Sequence, residues 1–198
     1  MKNNFFKNKN ILVTGASGSI GSEIVRKLLK INCRVVRAMS NDENGIYNLI
    51  SSIEKDKIIS FNSSMKKNKI RYLIGDVRDF KRNLEASKNI DIVIHAAAMK
   101  HVPICEYNFD ETYKTNFYGT KMLINASIKN KVKNFLFIST DKAAKPTSIM
   151  GKSKLRAEEL TLKSNINQKH TRLSVIRFGN VIGSRGSVLL KFLDQIKN

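Results

Sequence analysis

The stretch NILVTGASGSIGSEIVRKLLK, Asn10 to Lys30, decides how the rest of the chain is read. It opens on a short apolar run that ends at Gly15. It closes on Ile20, Ile24, Val25, Leu28 and Leu29, which recur at the spacing of one helical face. Between the two, Gly15, Gly18 and Gly21 stand three apart. Glycine permits a tight turn there and lets backbone N–H groups come close to a bound anion. The helix that follows adds the positive end of its dipole. A glycine pattern alone is a weak sign, and a plain glycine-rich turn is the alternative. The strand before it and the amphipathic helix after it supply the context that holds a dinucleotide pyrophosphate. On that reading Gly15, Ser17, Gly18, Ser19, Ile20 and Gly21 contact a cofactor.

The same alternation continues outward. CRVVRAM, IRYLIGD, DIVIHAAA, VKNFLFIST and TRLSVIRFG read as further strands. ENGIYNLISSIEK, FKRNLEASK, GKSKLRAEELTLKS and a closing SVLLKFLDQI read as helices, and FNSSMKKNK as a polar loop. A long helix is expected from about Asp110 to Lys129, with Tyr113, Phe117, Thr120, Ile124 and Ile128 on one face. Pro103 and Pro146 fall in expected loops. Alternation of this kind implies an α/β fold, a doubly wound parallel sheet with helices on both faces. There is no internal repeat or linker, so residues 1–198 read as one dinucleotide-binding domain. Ligands of such sheets lie beyond the carboxyl ends of the strands. That directs attention to Gly15, Asp76, Ala96 to Ala98, Ser139 to Lys142, and Arg177 to Asn180.

Composition narrows the classes. A chain of 198 residues, 26% charged and 41% hydrophobic, suits one domain with an ordinary core. The net charge of +20 raises nucleic acid, an anionic membrane surface or an anionic small substrate as partners. The bases are scattered, with short clusters such as MKKNKIR, and no Arg-rich arm, recognition-helix pattern or aromatic stacking motif accompanies them. Solvated lysine faces on an enzyme are the plainer reading, with no nucleic-acid partner. Cys33 and Cys105 are too few for a disulfide framework and have no metal-type partners nearby, so a reduced compartment and no metal are expected. No apolar run approaches the ~20 residues that cross a bilayer. The opening MKNNFFKNKN is too short and polar for a signal peptide, and the expected location is the cytoplasm.

The second strand of such a fold often ends in an acid that binds a ribose 2′-hydroxyl. Here Met39 holds that place, followed by Ser40, Asn41 and Asp42. A 2′-phosphate would be welcomed by Ser40, Asn41 and nearby Arg37, so NADP is favoured. NAD is the alternative, since Asp42 is close enough to reach a ribose. Ser40 also suits simple turn chemistry. In GDVRD, Asp76 is placed to accept from the adenine amino group, with Val77 against the ring; a helix cap is the plainer use of such an Asp.

Four segments, TGASGSIGSE, HAAAMKHVPICEYN, ISTDKAAKPTSIMGKSK and VIRFGNVIGSRGSV, together resemble the polysaccharide-biosynthesis dehydratases of the extended short-chain dehydrogenase family. By motif the nearest members are the UDP-N-acetylglucosamine 4,6-dehydratases. The resemblance runs from about Asn10 to Ile196, and the later segments are far more specific than the glycine turn. It implies a nicotinamide-dependent reaction on a UDP-sugar. Hydride leaves C4 to give a ketone, water departs across C5 and C6, and hydride returns to C6, leaving a 4-keto-6-deoxy sugar. By position Thr140 matches the residue at the C4 hydroxyl, Asp141 the acid that protonates the leaving C6 hydroxyl, and Lys142 the base for the C5 proton. A carboxyl sheltered from water would stay protonated through a raised pKa, and a partly desolvated Lys would become a usable base. The plainer reading of TDK is an N-cap and a surface pair opening a helix.

Met150 and Lys154 are one helical turn apart. Most short-chain dehydrogenases pair a Tyr with that Lys, and a thioether cannot transfer a proton. The resemblance resolves this, because large membrane-anchored dehydratases also carry Met there and do their acid–base work in the STDK run. Lys154 keeps the ribose-binding role. Small residues Ala96, Ala97 and Ala98 let a dinucleotide lie close to the backbone. Lys100, Asn116 and Asn180 match substrate-side positions, Asn116 being the helix Asn that supports active-site geometry in the wider family. His101 reads as a packed or hydrogen-bonded His. Relatives of this kind continue into a smaller carboxyl-terminal domain that grips uridine diphosphate, whereas this sequence stops at Asn198. Much of that substrate domain is therefore expected to be missing, with a homo-oligomer or a separate carboxyl-terminal chain as partner. Two other classes stand beside the dehydratase. One is a non-catalytic dinucleotide-binding regulatory module, which has no need of an acid and base at the nicotinamide. The other is a charge-driven nucleic-acid binder.

Overall fold

A computed structural model describes residues 4–31, 33–56, 69–166 and 168–181. Six parallel strands form one sheet: β1 (Asn10–Thr14), β2 (Val35–Ser40), β3 (Ile70–Ile74), β4 (Ile92–His95), β5 (Asn134–Thr140) and β6 (Arg172–Phe178). Their order is β3-β2-β1-β4-β5-β6, the doubly wound order expected. The helices between them are α1 (Ser19–Lys30), α2 (Glu43–Lys55), α3 (Phe80–Ser87), α4 (Val102–Tyr107), α5 (Phe109–Tyr113), α6 (Thr120–Lys129) and α7 (Ile149–Lys163). The closing helix SVLLKFLDQI and nearly all of the FNSSMKKNK loop fall outside the described residues.

Successive residues of a strand face opposite sides of a sheet, and β1 shows the consequence. Ile11 and Val13 pack with Val25, Leu28 and Leu29 of α1 and Ile46, Leu49 and Ile53 of α2. Leu12 faces the other side, where Phe135, Phe137, Leu123, Ile124 and Ala157 form a second core under α6 and α7. Apolar residues therefore fill both faces of the central strands, which is why those strands read as unbroken apolar runs. Burying either phenylalanine contributes about 3–5 kcal/mol by the cost of its truncation.

The long helix expected over Asp110–Lys129 is instead broken and begins earlier. Pro103, expected in a loop, occupies the first turn of α4, where its missing N–H leaves no bond unmade. After α5 the chain widens into π turns over Lys114–Gly119 before α6 resumes. The wider turn rotates the buried face. Thr112, Asn116 and Thr120 are buried, while Tyr113 and Phe117 are only half-buried. Helix starts are capped by Asp42 (from Gly45 N, 2.8 Å), Asp79 (from Arg82 N, 3.0 Å) and Ser148 (from Gly151 N, 3.1 Å).

Candidate functional site

The carboxyl ends of β1 and β4 meet at the glycine turn. Gly15 has φ +66°, and a Cβ there would stand 2.6 Å from the Ala97 backbone N, so only glycine fits. A Cβ on Gly21 would collide with the Gly15 carbonyl, so α1 lies directly against the turn. Two adjoining cavities open here, of about 490 and 400 Å³. They share Gly15, Ser17, Gly18, Ala96, Ala98 and Met99, and Ser19, Ile20 and Gly21 line the larger one. A bare backbone cradle at the start of a 12-residue helix, with a cavity on each side, fits a dinucleotide laid across it.

The smaller cavity lies at the carboxyl ends of β2 and β3. Ser40, Asn41, Asp76, Val77 and Ala97 line it, together with Arg78, Glu111 and Thr115, which the sequence reading missed. The Ser40 hydroxyl shares a hydrogen bond with Ser17 Oγ (2.8 Å) and accepts from Asp42 N (3.2 Å). Arg37 does not take the place expected of it. Its guanidinium donates to the carbonyls of Ala86 (2.7 Å) and Lys88 (2.8 Å), closing the end of α3 away from the cleft. Asp76 is held by Arg78, whose Nη2 lies 2.6 Å from Asp76 Oδ2. Burial pushes the Asp76 carboxyl up, but the Arg78 bonds outweigh it and keep the group below the usual carboxylate range. The only sign of Arg78 in the sequence is its place two residues beyond Asp76, in GDVRD.

The larger cavity gathers Lys100, Thr140, Lys142, Met150, Lys154 and Asn180 around the glycine turn. Ser139, Met99, His101 and Phe178 join them, so His101, expected to be packed or hydrogen-bonded, lies in the cavity wall. Lys154 is buried at 6% exposure, donates to the Ile138 carbonyl (2.7 Å) and lies 4.4 Å from the Phe137 ring centroid. Burial drives its pKa down to about 7, and Glu158, one turn further along α7, opposes the fall. Glu158 is bound in turn by Arg177 of β6, through Nε (2.9 Å) and Nη2 (2.6 Å). Beneath the site His95 is fully buried between the hydroxyls of Thr14 (2.7 Å) and Thr120 (2.9 Å). Burial lowers its pKa to about 3, so it stays neutral.

Two expectations need correction. Asp141 lines neither cavity and is exposed. Its Oδ1 accepts from Thr140 Oγ1 (2.9 Å) and Lys142 Nζ (3.2 Å). Those two bonds hold its carboxyl below the usual range, the reverse of the raised pKa expected from shelter. Lys142 is likewise exposed, so the desolvation expected of it is absent; its Nζ also lies 3.4 Å from Asn180 Oδ1. Thr140 does cap a short 3-10 turn over Asp141–Ala143, as the plainer reading of TDK held. Asn116 stands behind the wall rather than in it. Its side chain accepts from Met99 N (2.8 Å) and donates to Met99 O (3.1 Å) and Ser153 Oγ (3.0 Å), fixing the loop after β4.

Among the described residues no cluster of His, Cys, Asp and Glu could hold a metal ion, and no helix is long and apolar enough to cross a membrane. Comparison with known proteins gives the family directly. Residues 11–198 match the family model described as polysaccharide biosynthesis protein. The chain is 46% identical over 196 residues to an uncharacterized membrane protein of Methanocaldococcus jannaschii, covering 98% of this chain and 55% of that one. It is 43% identical over 195 residues to a UDP-N-acetylglucosamine 4,6-dehydratase (inverting) of Campylobacter jejuni, covering 96% and 54%. The solved structure of Pen from Bacillus thuringiensis superposes with a TM-score of 0.88 at 42% identity, covering 98% of this chain and 58% of that one. The chain thus spans about half the length of the curated relatives it matches. With its glycine turn, sheet order and matched segments, it belongs to the polysaccharide biosynthesis protein family of extended short-chain dehydrogenases.

Proposed function

We propose that this chain carries the dinucleotide-binding and acid–base half of a nucleotide-sugar 4,6-dehydratase. Its substrate is of the UDP-N-acetylglucosamine type, and its product is a 4-keto-6-deoxy sugar for surface polysaccharide or glycan. The observation that carries this reading is convergence. Thr140, Lys142, Met150 and Lys154 face the same cavity as the glycine turn. The activity for which the Campylobacter jejuni relative is named supports the substrate class.

A bound nicotinamide supplies the hydride acceptor and donor. The chain's own residues do the rest. Lys154 offers its remaining N–H donors to the ribose hydroxyls. Thr140 sits at the C4 hydroxyl. Lys142 takes the C5 proton, and Asp141, which lines neither cavity here, gives one to the C6 hydroxyl when the turn over Asp141–Ala143 carries it inward onto a bound sugar. The last two roles need a neutral Lys and a protonated Asp, whereas the pair stands in contact at 3.2 Å with Asp141 held ionised. The two arrangements contain the same number of protons. A single hop across the contact converts one to the other, and exclusion of water by a bound sugar favours the uncharged form. Met150 forms part of the wall and handles no proton.

The acid-free tip of β2 supports NADP, although Arg37 contributes nothing to it. Asp42, on the rim of the larger cavity, supports NAD as the alternative. Two buried free thiols, Cys33 and Cys105, support a reducing, cytoplasmic setting. A non-catalytic dinucleotide-binding regulatory module is the second reading, favoured by one observation, the ionised surface pairing of Asp141 with Lys142. Mass spectrometry decides between them. The chain is incubated with UDP-N-acetylglucosamine, alone and with the carboxyl-terminal half of the Campylobacter jejuni relative. Loss of one water, abolished by Lys142→Ala, is expected. Dinucleotide binding with no loss of water in either mixture would sink the dehydratase.

A further inference from the structure

Among the described residues lining the smaller cavity, one is a cation, Arg78. Its guanidinium is held from two sides. Asp76, on the loop after β3, accepts from Arg78 Nε (2.9 Å to Oδ2) and Nη2 (2.6 Å). Glu111, on α5, accepts from Nη1 (2.7 Å) with its Oε2. The other Glu111 oxygen takes Lys114 Nζ (2.8 Å), and Lys114 does not line the cavity. The Asp76 contact is bidentate and lies within the loop, so it fixes the guanidinium at the cavity. The Glu111 contact is a single bond between half-exposed groups and is readily exchanged.

The neighbours of Arg78 in that cavity are neutral or already used. Ser17 and Ser40 bond each other, and Asp76 is taken up by Arg78 itself. A ribose with a free 2′-hydroxyl needs nothing from Arg78. A 2′-phosphate needs a cation with a planar fork of donors, which is what a guanidinium offers. The Asp76 and Glu111 bonds use three of the five guanidinium N–H groups, so a phosphate shares Arg78 with Glu111 and is repelled by it, while Lys114 keeps Glu111 paired if that bond opens. We propose that Arg78 reads the 2′ position of the adenosine ribose, and that Glu111 sets the discrimination by competing with a 2′-phosphate for the guanidinium. The assignment rests on the dinucleotide reading of the cleft and gives it a specificity residue that the tip of β2 does not supply.

Calorimetric titration of NAD and NADP tests it on the unaltered chain, Glu111→Gln, Arg78→Ala and the double variant. Both side chains are half-exposed, so folding should survive, and circular dichroism checks that. Glu111→Gln should raise the ratio of NADP to NAD affinity about three- to fivefold, the scale of one exposed ion pair. Arg78→Ala should lower the ratio about tenfold, the scale of a charge-assisted bond to phosphate. The gain should vanish in the double variant. Its persistence there would assign the phosphate to Lys114 and overturn the proposal. So would ratios within about twofold of the unaltered chain in both single variants, with the dinucleotide site left standing. Failure of the unaltered chain to bind either dinucleotide overturns the proposal together with the cofactor reading.

Discussion

Lys154 is a charge kept in a place that penalises charge. Its folded pKa is about 7 against an ordinary 10.5. Between those values the unfolded chain binds a proton that the folded chain does not, so stability rises with pH across that window. Below about 7 the burial penalty is present in full. Lys154→Met should therefore stabilise the chain at pH 6, by on the order of a few kcal/mol, and flatten the rise between pH 7 and 10. The same change should abolish dinucleotide binding. Urea melts at both pH values check the first part and calorimetry the second; a Met variant less stable at pH 6 would refute it. A second comparison concerns Met150 and Lys142. In a preparation that turns over, Met150→Ala should cost activity far less than Lys142→Ala, since no proton passes through a thioether. Equal losses in folded variants would overturn the assignment. The STDK run was legible as a hydroxyl, an acid and a base at a strand end. The directions were not. Those residues enter a 3-10 turn, and the turn, rather than residue type, sends Asp141 outward beside Lys142.

The elements differ in how much of them the sequence discloses. Strands buried on both faces announce themselves as apolar runs, and their alternation with amphipathic helices leaves little choice of sheet. The segment from Val102 to Lys129 was misread because a π turn has no pattern of its own. Its cause is visible only in three dimensions. Asn116 lies in the widened stretch and its amide reaches the Met99 backbone on one side and Ser153 on the other. Asn116→Ala should cost about 2–3 kcal/mol in urea denaturation, because buried partners are left unsatisfied. It should also weaken dinucleotide binding about tenfold by loosening the loop after β4. A stability loss with unchanged affinity would show that this loop does not set the cleft. At the other side of the cleft, Gly15→Ala should destabilise by roughly 1–3 kcal/mol through its positive φ and close approach. Loss of dinucleotide binding should accompany it.

At the scale of the molecule, the six strands close a sheet with two filled cores, although the chain spans about half the length of its curated relatives. The chain as it stands should fold and bind dinucleotide. Its turnover alone should be very low, because remote contacts to a nucleotide-sugar help position the reacting ring. Adding the carboxyl-terminal half of a relative should raise the rate, and full turnover without it would show that the substrate is gripped within these residues. A net charge of +20 should attract a UDP-sugar from a distance, so its apparent affinity should fall several-fold, roughly, between 50 and 300 mM salt. The order β3-β2-β1-β4-β5-β6 bears on the birth of the protein. Domains form from the amino terminus as synthesis proceeds. Here β2 and β3 add in turn to one edge of β1, and β4, β5 and β6 then add in turn to the other. No later strand has to part a pair already made. A ribosome paused after β3 thus displays the edge of β1 that waits for β4 as well as the outer edge of β3, and a chaperone that guards the nascent chain has both to cover.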